Sequence, residues 1–244
     1  MIRQLFPVLE HLDTPGALEE AYRHPSERHL RTNFVCSLDG AIEIDGLSAP
    51  LGVPADRAAF FAMRAVADVI LVGAGTARAE GYGPIRMDGD RVKRRVSRGQ
   101  RDLPRLAIVS RSAVLETDSK LFASQPAVIV YTTHVAESSQ HGLSDVAEVV
   151  ALGDEDVDLP AVVADLRSRG MGRILCEGGP SLFGALMRAG LVDEVCLTVS
   201  PIIAGQGRVN LGEAAALTPA PLSLVAISEG DGALLLRYRP LLSN

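Results

Sequence analysis

The chain has no tryptophan, and aromatic residues make up only 4% of its 244 positions. That scarcity removes the stacking platforms on which single-stranded nucleic acids are held. A basic excess is missing as well. The 24 Lys and Arg stand against 30 Asp and Glu, and the resulting net charge of −6 argues against a nucleic-acid partner. No apolar run approaches the roughly 18 residues of a membrane span, and the opening MIRQLFPVLE is too short and too charged for a signal peptide. The expectation is a cytoplasmic protein with no membrane partner. Three cysteines, Cys36, Cys176 and Cys196, form no CxxC and stand at no metal-ligand spacing with histidine, so no metal site is expected. Each lies inside an apolar run, as buried thiols of a reducing compartment do. The five histidines (His11, His24, His29, His134, His141) fall in segments that read as loops or flanks. With no Ser/His/Asp or Cys/His arrangement, hydrolysis through a covalent nucleophile is excluded from the leading readings.

What is present is 47% apolar residue content, enough for a packed core. Short apolar runs at 31–37, 68–72, 106–109, 127–131, 147–151, 173–176 and 192–200 read as strands. Helical patterns cover 54–67, a short stretch from after the Gly73-Ala74-Gly75-Thr76 turn to Glu80, 159–169 and the stretch from Pro180 onward. Segments 222–228 and 233–239 alternate more and meet across Glu229-Gly230-Asp231-Gly232, as an antiparallel hairpin would. Alternation of strands and helices predicts an α/β domain at 30–244, with a mostly parallel central sheet flanked by helices and an antiparallel C-terminal hairpin. Residues 1–29 read as an N-terminal extension packing on that domain, and 83–105 as a long basic loop.

Ligands of such sheets bind beyond the carboxyl ends of the strands. Four turns qualify: Ser37-Leu38-Asp39-Gly40, Gly73-Ala74-Gly75-Thr76, Ser110-Arg111 and Glu177-Gly178-Gly179-Pro180. In the last, paired glycines let a ligand approach the backbone, and the helix start beyond Pro180 offers free N–H groups to a phosphate or pyrophosphate. Glu177 faces whatever binds there. Gly73-x-Gly75 lacks the third glycine of a GxGxxG fingerprint, so an ordinary Rossmann domain is a poor match, and each turn alone also reads as a plain strand-to-helix connection. Ser110-Arg111 suits a terminal phosphate such as the 2′-phosphate of NADPH, its alternative being a solvated surface arginine. Asp39 is an acid or base, or else a turn residue bonding its own backbone. Glu80 faces the cleft or ends its helix in solvent. Within the basic run, Arg86 stands nearest the Gly81–Pro84 turn and is the candidate for a substrate phosphate.

Taken together, Ser37-Leu38-Asp39-Gly40, Met63-Arg64-Ala65 with Ala67-Asp68, Val72-Gly73-Ala74-Gly75-Thr76, Glu177-Gly178-Gly179-Pro180, Leu191-Val192-Asp193-Glu194, Pro201 and Gly205 stand in a recognisable order and spacing. Over 31–239 the chain resembles the riboflavin-biosynthesis reductase domain, without the deaminase that many bacteria fuse to it. The resemblance implies a dihydrofolate-reductase-like fold, NADPH as cofactor and a homodimer. It also implies hydride transfer to C1′ of a phosphorylated pyrimidine substrate, 5-amino-6-(5-phosphoribosylamino)uracil, to give the ribitylamino product. Carried over by position, Cys36, Pro50, Thr76, Glu80, Arg111 and the run Gly179, Pro180, Ser181, Leu182, Phe183, Gly184 and Ala185 line NADPH, joined by Gly73, Gly75, Ser110 and Gly178 of the turns. Ser48, Arg64, Pro84, Arg86 and Glu177 face the substrate, the arginines near its phosphate, and Glu177 and Asp39 are the catalytic candidates. The chain departs from the family at Ala41, where Lys or Arg is common, and at Glu80-Gly81-Tyr82-Gly83-Pro84, where Asp-Asp-Pro is usual. These departures bear on the exact substrate. Two other readings remain open: a dihydrofolate or pterin reductase, and a noncatalytic NADPH-binding regulatory protein.

Overall fold

The computed structural model describes residues 1–124, 126–139, 142–205 and 219–241. The strands are β1 (Ile2–Phe6), β2 (Glu10–His11), β3 (His29–Ser37), β4 (Val69–Gly73), β5 (Arg105–Val109), β6 (Ile129–Thr132), β7 (Glu148–Ala151), β8 (Arg173–Cys176), β9 (Glu194–Ser200), β10 (Leu222–Gly230) and β11 (Ala233–Pro240). The helices are α1 (Pro15–Ala21), α2 (Pro54–Val66), α3 (Ala74–Ala79), α4 (Gly89–Ser97), α5 (His134–Ser139), α6 (Leu159–Ser168) and α7 (Pro180–Arg188). All strands join one sheet in the order β2-β1-β10-β11-β9-β3-β8-β4-β5-β6-β7. From β9 to β7 every pairing is parallel, and from β11 outward every pairing is antiparallel.

Strand character follows from burial on both faces. In β4, Val69 and Leu71 pack toward α6 and α7, while Ile70 and Val72 pack on the opposite face, and all four are fully buried. Val162, Val163 and Leu166 of α6 join Leu182, Phe183 and Leu186 of α7 over the first face. On the second face, Ala59, Ala62, Met63 and Val66 of α2 cover Leu175, Cys196 and Leu235, with Leu18 of α1 beside them. Each fully buried Leu or Ile contributes about 1.5–3 kcal/mol. All three cysteines are free and buried, and burial pushes the thiols of Cys176 and Cys196 up to about 12.

The expected hairpin is β10–β11. It closes on Asp231-Gly232 with φ of 53° and 78°, the backbone of a type I′ turn that Asp-Gly favours. Segment 1–29 enters the sheet itself, since β1 pairs with β10 at Ile2↔Gly230. Thr14 starts α1 by accepting from the Ala17 amide at 3.1 Å.

Two sequence expectations are corrected. The stretch 83–105 is not one loop, because it contains α4, capped by the Asp88 carboxylate. Its apolar signal is weak because the residue it buries is Arg95, which is 0% exposed. Arg95 donates to the carbonyls of Ala65 (3.0 Å) and Ala67 (2.7 Å) at the end of α2, while Arg94 and Arg98 grip the buried Glu19 at 2.7 and 2.6 Å. Nor do the histidines all lie in loops or flanks, for His29 belongs to β3, and both it and His24 are buried. His134 begins α5, and His141 lies outside the described residues. His29 stands 3.4 Å from Glu194, which also pairs with Arg31 (3.0 Å) and Arg237 (2.8 Å). Burial alone would raise the Glu194 carboxyl, yet these three neighbours hold it far below the usual carboxylate range.

Candidate active site

The turns after β8, β4 and β5 lie side by side because those strands are neighbours in the sheet. They open into one cleft of about 1570 Å³. That is larger than the roughly 300–1,000 Å³ of a single small-ligand pocket, so two molecules fit beside each other. Strand β3 forms a wall. Its Thr32 pairs with Cys176, the last residue of β8, so the strand continues past that end, and Asn33, Phe34 and Val35 line the cleft.

The glycines at these turns do different work. The Gly73 amide donates to the Gly178 carbonyl at 2.8 Å, tying the ends of β4 and β8 together, and the Gly178–Gly179 peptide is cis. A Cβ on Gly179 would stand 2.4 Å from Thr76 Oγ1, so protein packing excludes a side chain there. Gly75 differs: a Cβ would meet nothing within 4 Å, and its bare backbone faces the open cleft. The first turn of α7 has no side-chain cap, and Ser181 and Leu182 of that turn line the same space. Uncapped amides beside an exposed glycine backbone suit a pyrophosphate.

Glu177 follows β8 and is 8% exposed. Its own amide donates to the Leu71 carbonyl at 3.0 Å, which sets the carboxylate at the strand edge. Arg64 Nε donates to Oε1 and Nη2 to Oε2, both at 2.7 Å, in a bidentate pair. The Tyr82 hydroxyl donates to Oε2 at 2.6 Å. Arg64 also lies 4.2 Å over the ring of Phe60, one helical turn earlier on α2. Burial alone would lower Arg64, but the Glu177 carboxylate more than offsets it and raises the guanidinium above its ordinary value. Burial, then the neighbouring carboxylate, hold the Tyr82 phenol well above its ordinary value, so it keeps its proton.

Of the residues singled out in the sequence, Ser48, Arg64, Gly73, Gly75, Thr76, Glu80, Pro84, Arg86, Ser110, Arg111, Glu177, Gly178, Gly179, Pro180, Ser181, Leu182 and Ala185 line the cleft. Glu80 accepts from the Ser48 amide at 2.7 Å, and Arg111 stands 3.6 Å from Asp156. Phe183 and Gly184 do not line it, because α7 turns them away and buries them, Phe183 edge-on to Phe34 at 4.9 Å. Cys36 and Pro50 are also absent from the lining, the first buried and the second exposed on a short 3₁₀ turn.

Asp39 requires a correction as well. The overhang of β3 carries its turn beyond the cleft, where the carboxylate accepts from Ser37 Oγ (2.5 Å) and from the amides of Ala204 (3.0 Å) and Gly205 (2.9 Å). The Ser37 hydroxyl, then those amides, lower it to about 2. Asp39 therefore ties a loop. The sequence reading missed Tyr82, Phe60 and Lys120, all in the lining. Phe60, four residues before Arg64, was the available signal for an arginine stacked on its own helix. Lys120 comes from a distant 3₁₀ turn and packs over Gly81 and Gly83. Arg86 and Lys120 form no ion pair with any described residue.

Comparison with known proteins gives concordant findings. A model of the RibD C-terminal domain matches residues 28–234. A 2,5-diamino-6-ribosylamino-4(3H)-pyrimidinone 5′-phosphate reductase from Archaeoglobus fulgidus is 27% identical over 179 residues, spanning 72% of this chain and 82% of that protein. Riboflavin biosynthesis protein RibD of Mycobacterium tuberculosis is 28% identical over 179 residues, which cover 72% of this chain and 43% of the relative. The crystal structure of a pyrimidine reductase-like protein from Corynebacterium diphtheriae superposes with a TM-score of 0.82 at 26% identity, covering 93% of this chain and 99% of that one.

Proposed function

Because the chain belongs to the RibD C-terminal domain family, we propose that it is a nicotinamide-dependent reductase of riboflavin biosynthesis. It converts the ribosylamino side chain of a 5-phosphorylated pyrimidine to a ribitylamino chain. The observation that carries this reading is the Glu177 carboxylate, paired and oriented at a glycine-lined strand edge, inside a cleft large enough for two ligands. The nicotinamide, when bound, supplies the hydride that C1′ receives. Net, the C1′–O4′ bond breaks, C1′ gains hydride and O4′ takes one proton.

The chain's own residues bind and orient. Gly75, Ser181 and Leu182 present backbone to the pyrophosphate. Ser110 and Arg111 meet a 2′-phosphate, which selects NADPH over NADH. Glu177 accepts a hydrogen bond from the substrate. Arg64 is committed to Glu177, so the substrate phosphate falls to Arg86 and Lys120, whose charges are not taken up by ion pairs among the described residues. The buried free thiols accord with work in the cytoplasm, and the homodimer implied by the resemblance belongs to the same proposal. A pterin has no phosphate to meet Arg86 and Lys120, which disfavours that alternative.

The test follows NADPH absorbance with the 2,5-diamino pyrimidinone form of the substrate, with the uracil form, and with dihydrofolate. Oxidation with a phosphorylated ribosylaminopyrimidine and none with dihydrofolate is the expected result. Turnover with neither pyrimidine would sink the reading.

A further inference from the structure

We propose that Tyr82 is a positioning residue for Glu177: its hydroxyl and the Arg64 guanidinium together determine that Oε1 is the carboxylate oxygen presented to the substrate. The inference rests on the reductase reading above. A carboxylate has about four acceptor positions, two on each oxygen. Oε2 receives two donors, Arg64 Nη2 at 2.7 Å and the Tyr82 hydroxyl at 2.6 Å, and is filled. Among the described residues, Oε1 receives only Arg64 Nε, at 2.7 Å, and keeps one lone pair for a ligand. Arginine alone forms a symmetric fork, so Tyr82 is what makes the two oxygens inequivalent.

The phenol is held by more than its partner. The Tyr82 amide donates to the Ala77 carbonyl at 2.8 Å, anchoring its loop to α3, the helix that also carries Gly75. One short helix thus sets both the bare backbone on the cofactor side and the hydroxyl that orients Glu177. Tyr82 is itself part of the cleft lining, and its ring stands 5.6 Å from the Arg64 guanidinium. Because the buried phenol keeps its proton, it acts as a donor to Glu177 throughout the neutral range. The remaining Oε1 lone pair calls for an N–H or O–H donor on the ligand. In a ribosylaminopyrimidine that donor is the linking N–H or the hydroxyl released when the sugar ring opens.

A double-mutant cycle tests this, with Y82F removing only the hydroxyl and E177Q removing the charge it orients. In the otherwise native enzyme, Y82F is expected to lower kcat about tenfold or more, the loss for one hydrogen bond to a charged acceptor. KM for the pyrimidine and the NADPH dissociation constant should stay within about twofold, which separates positioning from a general structural defect. In the E177Q background the same change should cost less than about twofold, both in kcat and in affinity for the ribitylamino product, because the oriented group is gone. Equal losses in the two backgrounds would overturn the inference while leaving the reductase reading intact, as would a Y82F enzyme as fast as the native one. Failure of the native enzyme to turn over either pyrimidine would overturn the reductase reading and the inference with it.

Discussion

Replacing Gly75 with alanine should move stability and cofactor affinity in opposite directions. Gly75 is the second residue of α3 and has no positive φ, so alanine fits its backbone without strain. A Cβ there meets nothing within 4 Å. Glycine in a helix costs about 0.5–1 kcal/mol relative to alanine, and less at a first turn, so a gain near 0.5 kcal/mol is expected. For a chain of this size that raises Tm by about 1–2 °C. The same methyl projects into the cleft where we place the pyrophosphate against bare backbone. Losing that close approach is expected to weaken NADPH about tenfold, or about 1.4 kcal/mol. Scanning calorimetry and titration calorimetry of one preparation report both quantities. A variant that is more stable yet binds NADPH as tightly as the native protein would refute the placement of the cofactor at Gly75. A variant that loses stability would refute the claim that the space is open.

Two further predictions concern the scaffold. His24 is buried with neither ring nitrogen hydrogen-bonded to any described residue, and burial, then the nearby Arg31, lower it to about 2. Its folded value lies below the unfolded value of about 6.5, so its contribution is complete above pH of about 6.5 and is lost as pH falls, when only the unfolded chain takes up the proton. Urea melts at about pH 7 and about pH 5 should show H24L losing less stability than the native protein, by up to about 1.4 kcal/mol per pH unit below 6.5, and identical slopes would refute this. Separately, R95A strips donors from the carbonyls of Arg64, Ala65, Ala67 and Arg101. It should cost about 3 kcal/mol or more in a denaturant melt, and a loss under about 1 kcal/mol would show that water replaces the guanidinium.

The strands from β3 onward and most helices are legible in the sequence because each carries its signal locally, whereas β1 and β2 lie in a segment that reads only as an extension. Val69 to Val72 is apolar without a break because both faces are buried, and Asp231-Gly232 specifies its own turn. The strand-end turns are visible for the same reason, and parallel connectivity brings three of them, two bearing glycines, to one edge. Helix α4 escapes such a reading because it buries Arg95 and pairs its other arginines with Glu19, 75 residues before Arg94. Local apolar periodicity does not register an ionic contact of that kind. Asp39 is equally misleading, since its Ser-Leu-Asp-Gly turn has the chemistry of a strand-end site, and only the overhang of β3 beyond β8 shows that it falls outside the cleft.

The composition, the strand ends and the place of Glu177 at one of them were determined by the sequence itself. The state of Glu177 was decided by the fold. Arg64 lies 113 residues away in the chain and Tyr82 lies 95 away, yet both reach its carboxylate at 2.7 Å or less. Their meeting depends on the place of β8 next to β4 and on the packing of α2 across the sheet, relations among distant segments that no local pattern encodes.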